Sequence, residues 1–344
     1  MRSPGKEQRD DLRLQERYPG TRLLDRPSQD MNVGAGLVPA PNLALSSFWM
    51  RGRWERVRDF IKVGVEAGFA AFEISGLDGN TFYDEVHPGA LDIVSLHNPA
   101  PGGMRNKEMR LADIVLTSLD EERRKQAVVE ALRSIEVAQR YGAKVVVLHL
   151  GKTSADPGHE DHLKRLFAQG RIAGPEADAV RSRIIAGRAH QRRERMDALQ
   201  RSLDELVPRA EVRGVRLGLE NRPICEVPNW EDMRQVLSWY PQDTVGYWHD
   251  TGHAQVQENL GFTPHADWLR AYGRRLIGLH LHDAVGCQVH RAPGAGSVDW
   301  IGLAALAASC GDHVVRTVEV NCTVSEEALR AGVEHLLSTG WARE

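Results

Sequence analysis

The chain has 344 residues, 42% of them hydrophobic and 26% charged, with 44 Lys and Arg against 47 Asp and Glu for a formal charge of -3. This is the composition of a folded protein with a sizeable core, and its near-neutral balance excludes a global positive field for nucleic acid or anionic membranes. Cys225, Cys287, Cys310 and Cys322 show no Cys-x-x-Cys pairing, which excludes a zinc ribbon and a disulfide framework and leads us to expect a cytoplasmic location. No run of about 18 uninterrupted apolar residues and no secretory h-region occurs, so no membrane partner is expected.

Residues 1–30 carry few large aliphatics among many charged residues, Pro and Gly, and read as a disordered N-terminal extension ahead of a single domain over 31–344. From there, short apolar runs alternate with amphipathic stretches, the pattern of a parallel sheet built through right-handed crossovers. Strands are predicted at Met31 to Leu37, Phe69 to Ser75, Ile93 to His97, Lys144 to Leu150, Val215 to Glu220, Val245 to Asp250, Leu276 to His282 and Val314 to Val320. Continuous runs such as Val145-Val146-Val147-Leu148 suit strands covered on both faces. Before that strand, Ser118 and Glu121 have capping-box spacing, and Tyr141-Gly142 ends the helix in the manner of a glycine C-cap.

Eight such units predict an α/β fold, a single (β/α)8 TIM barrel. A doubly wound sheet would need a glycine-rich phosphate loop after its first strand, and Gly34-Ala35-Gly36 is too weak a signal for one. Between Gly151 and about Glu176 no helix or strand period is evident, so a long β4-α4 insertion is expected where a barrel carries a lid. The arginines at 181, 183, 188, 192, 193 and 195 follow it and read as a solvated helix face, the common origin of such a run, rather than a phosphate site.

Nearly every apolar run in the second half ends in a side chain able to bind metal: Glu220, Asp250 with His253 three residues on, His280 and His282, and Glu319. His97 and His149 end earlier runs. In a parallel barrel all of these strand ends meet at one mouth. A lone Glu or His there belongs more often to a hydrogen-bond network than to a metal site. Acid, acid with histidine, histidine and acid on four successive strands is another matter, because unpaired burial would cost several kcal/mol per group and a shared dication removes that cost. Three carboxylates with imidazole, and no thiolate, suit one divalent ion such as Mn2+, Mg2+, Co2+, Fe2+ or Zn2+. His280 and His282 point to the same side of their strand, so periodicity does not choose between them.

At Glu220-Asn221, Asp250-Thr-Gly-His253-Ala254, His280-Leu-His282-Asp283 and Pro293-Gly-Ala-Gly296 leading to Asp299-Trp300, the sequence resembles the sugar phosphate isomerase/epimerase group of xylose-isomerase-like barrels, which includes endonuclease IV-type enzymes. The resemblance spans about residues 31–340. It implies Glu220, Asp250, His280 and Glu319 as ligands of one metal, with His280 chosen by the family's His-x-x-Asp pattern. His282 stays open, because ketohexose epimerases of the group use the second His of a His-x-His pair. His97, His149, His253, His282, His290 and Arg291 correspond to substrate-contacting positions. The implied chemistry is isomerisation or epimerisation of a small sugar-like hydroxy-carbonyl compound. By that resemblance Glu220 and Glu319 would move the proton, and the metal would stabilise the enediolate.

Three other readings share the motifs. A dehydratase would use the same site. An endonuclease IV-like abasic-site nuclease would use His97, His149, His253 and His290 for further metals, but one of its ligand positions falls on Gln288, and the charge of -3 counts against DNA. A barrel without catalysis would not need all four ligands. The sequence is compatible with a homo-oligomer and leaves the substrate and the identity of the metal open.

Overall fold

Eight short runs lie side by side, all parallel, and close into a barrel: β1 (Ala44–Ser46), β2 (Ala71–Ile74), β3 (Asp92–His97), β4 (Val145–Leu148), β5 (Arg216–Glu220), β6 (Val245–Asp250), β7 (Leu276–Leu281) and β8 (Val315–Val318). The structure is a computed structural model that describes residues 42–75, 81–101, 106–308 and 314–343. Closure is made by β1 against β8, with Ala44 beside Thr317 and Leu45 beside Val318. The barrel thus closes on Ala44–Ser46 and not on the expected Met31 to Leu37, which lies outside the described residues, as does the expected extension over 1–30. Leu43 to Leu45 is too short a run to register as a strand, yet it is almost wholly buried.

Helices cover the outside, as the apolar runs require. Val145 to Leu148 is fully buried because the interior lies on one face and helix Glu121–Tyr141 on the other. That helix is capped by Asp120, whose side chain accepts from the N–H groups of Glu122 and Arg123 at 3.0 and 3.2 Å, rather than by the expected Ser118. Ser118 serves the turn before it, accepting from Asp120 N–H and donating to Asp113. Gly142, at φ 79°, ends the helix as expected.

Inside the barrel, Trp248 is packed with Val145, Val147 and Ile277 and is fully buried. The indole fits because β7 carries Gly278 opposite it: a Cβ on Gly278 would sit 2.0 Å from the ring. Gly278→Ala is expected to destabilise the fold by about 3 kcal/mol, the upper part of the overpacking range, since an indole held on all sides has nowhere to move. Chemical denaturation would read this, and an unchanged midpoint would disprove it.

The segment after β4 is not a structureless lid. Gly151–Lys152 pairs antiparallel with Glu226–Val227, Asp156 caps helix Pro157–Ala168, and helix Pro175–Ala189 follows. Leu163, Leu166, Val180 and Ile184 form a small core of their own with Ile224 and Leu260. With one face on so small a core, apolar residues are sparse and the helical period is faint. The arginine run is split between this helix and Arg192–Arg213. Arg188 departs from the expected solvated face: it is buried, donates to the carbonyls of Ile224 and Glu226, and pairs with Asp232. Among the described residues no helix is long and apolar enough to cross a membrane.

Candidate metal centre

The strand ends converge as parallel registry dictates. Asp250 lies beside His280, His280 beside Thr317, and Glu220 beside Trp248. Glu319 follows β8 immediately. His280 Nδ1 lies 3.5 Å from Glu319 Oε2, 3.8 Å from Asp250 Oδ2 and 4.0 Å from Glu220 Oε1. It is buried and has no hydrogen-bond partner. Its ring is fixed by the edge of Trp248 at 5.1 Å and by His97, stacked in parallel at 5.7 Å.

The other ring nitrogen explains the orientation. His280 Nε2 meets both oxygens of Glu73 at 3.2 Å, and Glu73 also accepts from Ser46 at 3.0 Å and Ser95 at 2.7 Å. A carboxylate that takes the Nε2–H leaves the Nδ1 lone pair facing Glu220, Asp250 and Glu319, the usual outer arrangement behind a metal-bound histidine. Burial alone would lower the pKa of His280, but Glu319 and Glu73 outweigh it and hold it well above its ordinary value. Burial would raise Glu220, but Arg222 and His149 hold its carboxyl well below the usual range. Glu319 is raised, chiefly by burial. Four buried carboxylates thus draw positive charge to their centre, and three of them with one imidazole form an oxygen-rich set that fits a divalent ion. Glu73→Gln, which keeps an acceptor but loses the charge that makes His280 basic, is expected to weaken Mn2+ binding by about 10-fold or more. Titration calorimetry would check it, and unaltered affinity would dismiss Glu73 as a supporting group.

Asp250 has a second duty. Its Oδ1 accepts from His253 N–H at 2.7 Å and so caps helix Thr251–Asn259, which aims Oδ2 at His282 Nε2, 2.9 Å away, and His253 Nδ1, 3.2 Å away. Gly252 makes room for this, since a Cβ there would lie 2.1 Å from the His282 ring. His282 Nδ1 accepts from His290 N–H at 3.0 Å, so its remaining proton goes to Asp250. His280 Nδ1, by contrast, has no hydrogen-bond partner. Asn221 ties the ends of β5 and β6 together through Asp250 N–H, Asp250 C=O and Tyr247 OH. Asp283 accepts from Ala284 N–H, Gly294 N–H, Val298 N–H and Trp300 Nε1, which pins the Pro-Gly-x-Gly loop.

Above the carboxylates opens a cavity of about 300 Å3, with His97, His149, His290 and Glu319 in its inner wall. His149 Nε2 is 2.9 Å and His97 Nε2 3.4 Å from Glu220 Oε2, so these three residues form a second group able to hold an ion. His253 and His282 are buried behind this wall, while Arg291 donates to Gln288 on the same hairpin.

Comparison with known proteins bears on the family. A match to the xylose isomerase-like TIM barrel covers residues 62–339. The chain belongs to that family. Among solved structures, this xylose isomerase-like barrel is similar to a D-tagatose 3-epimerase-like protein (20% identity, TM-score 0.57, covering 86% of this chain and 96% of that one). It is also similar to an L-ribulose 3-epimerase (17%, 0.58, 88% and 94%). A sugar phosphate isomerase/epimerase from Parabacteroides distasonis shares 13% identity at a TM-score of 0.55, over 92% of this chain and 98% of that one. At these identities the likeness concerns the fold. No protein of curated description matches the sequence.

Within the xylose isomerase-like barrel, several residues of the site escape a reading by motif. Glu73 is one. Arg222 is another: it binds Glu220 Oε1 at 2.9 Å and Glu226 Oε2 at 3.2 Å from only two residues past β5. Arg110 pairs with the other oxygen of Glu226. Glu73 is itself a carboxylate in an otherwise apolar strand, Ala71–Ile74, and that was the available signal; Arg110 sits on a six-residue helix with none.

Proposed function

We propose that this protein is a divalent-metal-dependent isomerase or epimerase of a sugar or related hydroxy-carbonyl compound. The observation that carries the reading is the convergence of Glu220, Asp250 and Glu319 within 4.0 Å of a partnerless imidazole nitrogen, His280 Nδ1, below an open cavity. Glu220, Asp250, His280 and Glu319 would hold the ion. When bound, it supplies Lewis acidity to a carbonyl and its neighbouring hydroxyl.

The two glutamates divide the proton transfers. Glu319 lines the cavity and, among the described residues, forms its ion pairs with His280 and His290, so it can reach a substrate carbon and take up the α-proton. Glu220 is crowded by Arg222 at 2.9 Å, His149 at 2.9 Å and His253 at 3.1 Å, which keep it anionic beside the developing enediolate and ready to share the return of the proton. His97, His149 and His290, on the inner wall, are placed to hold substrate hydroxyls. Return to the opposite face gives an epimer, and return to the neighbouring carbon gives an isomer. The names of the sugar epimerases among the similar structures support this chemistry.

The test is a panel of ketoses, inososes and sugar phosphates incubated in heavy water with Mn2+, Mg2+ or Co2+. Deuterium at the α-carbon of recovered substrate is the expected result. Loss of water from an inosose without a rearranged sugar would replace this reading with a dehydratase. The grouping of His97, His149 and Glu220 favours one further reading, a nuclease with several metals, and cleavage of abasic-site DNA would establish that in place of the isomerase.

A further inference from the structure

The cavity is not uniform in charge. Among its described lining residues are the histidines, two carboxylates, Glu226 and Glu319, and four cations, Arg51, Lys107, Arg110 and Arg222; exposed Lys107 and half-exposed Arg110 mark its outer end, while Arg222 reaches inward to Glu220. Glu226 is already shared, one oxygen with Arg110 and the other with Arg222. Lys107 and Arg110 lie three apart on helix Asn106–Leu111, so their side chains emerge on one face. Lys107 is exposed and makes no ion pair with any described residue. Arg51 stands 5.7 Å from the ring of Phe48, which lines the same cavity. On a chain with a formal charge of -3, a cleft lined by more cations than carboxylates among its described residues, with Lys107 unpaired by any described acid, is a local excess of positive charge, and a low-dielectric cleft focuses such a field on an entering anion.

We propose that the outer end of this cavity is a subsite for an anionic group, so that the substrate is a small hydroxy-carbonyl compound ending in a phosphate or a carboxylate. Lys107 and Arg110 contact that group, and Arg222, held between Glu220 and Glu226, joins the subsite to the reacting end. The choice of a hydroxy-carbonyl head rests on the isomerase reading; the anionic tail rests on the cations alone.

Binding of compounds that do not react separates the two. Titration calorimetry of the Mn2+-loaded protein would compare ribitol, ribitol 5-phosphate and ribonate, none of which carries a ketone to isomerise. The charged probes are expected to bind about 10- to 100-fold more tightly than ribitol, the effect of one or two charge-assisted hydrogen bonds. The tighter of the two identifies phosphate or carboxylate as the natural terminus. K107A and R110Q should each reduce the advantage by about tenfold; K107A alters an exposed side chain and serves as the variant certain to keep the fold. Equal binding of all three compounds, or no binding of the charged ones, would overturn the subsite. So would a preference for anions that survives both substitutions. Abasic duplex DNA captured in place of the charged sugars would overturn the small-molecule class. Absence of deuterium incorporation with the preference for anions intact would remove the isomerase reading and leave the subsite standing.

Discussion

Glu319→Gln and Glu220→Gln are each expected to lower kcat by about 10^2- to 10^4-fold, the span associated with loss of a positioned acid or base. Glutamine keeps the volume and the acceptor but can neither take nor return a proton. The two variants should differ in their side effects. Among the described residues the ion pairs of Glu319 are with His280 and His290, so its replacement should leave Arg222 undisturbed and act on turnover more than on KM. Glu220 holds Arg222, His149 and His253 in place, so its loss also releases the guanidinium that spans to Glu226, and KM should rise as well. Steady-state kinetics with saturating Mn2+ would check both, with melting curves to confirm the fold. Turnover unchanged in either variant would remove that glutamate from the chemistry.

Stripping the divalent ion should have a comparable effect on rate and a second one on stability. An ion bound only by the folded chain stabilises it by about 4 kcal/mol when free ion exceeds the dissociation constant about 1,000-fold. The origin is local: Glu73, Glu220, Asp250 and Glu319 are all nearly inaccessible to solvent, and without an ion their mutual repulsion is met by the surrounding histidines and by Arg222 beside Glu220. Prolonged chelation is expected to abolish turnover and lower Tm by several degrees, with both restored by Mn2+, Co2+, Mg2+ or Zn2+. A chelated protein with the same Tm, indifferent to every added ion, would refute the metal centre.

Seven of the eight barrel strands were legible because an apolar run covered on both faces is a strong signal, and the polar side chains that meet at the barrel mouth because each of them stops such a run. Met31 to Leu37 misled for the same reason: it looks more like a strand than Ala44–Ser46, whose three residues are recognisable only through pairing on both sides. Within the insertion, Asp156-Pro157 was a readable helix start, a cap followed by proline at the first position. The apolar residues after it were too few to support it. Glu73 could not be assigned from sequence because its partner, His280, is 207 positions away and only barrel closure brings them together. The cations that line the cavity were hidden in the same way, being assembled from three separate segments: Arg51, Lys107 with Arg110, and Arg222.

Arg188 gives the insertion a significance beyond its packing. By holding the carbonyls of Ile224 and Glu226, it couples helix Pro175–Ala189 to the very loop whose carboxylate sets the balance of charge at the cavity entrance. The barrel and the four proposed ligands can stay constant while this peripheral helix changes. Divergence there would shift Glu226 relative to Arg110 and Arg222 and so retune selectivity, which makes the insertion the natural place for a lineage to acquire new substrates without rebuilding its chemistry.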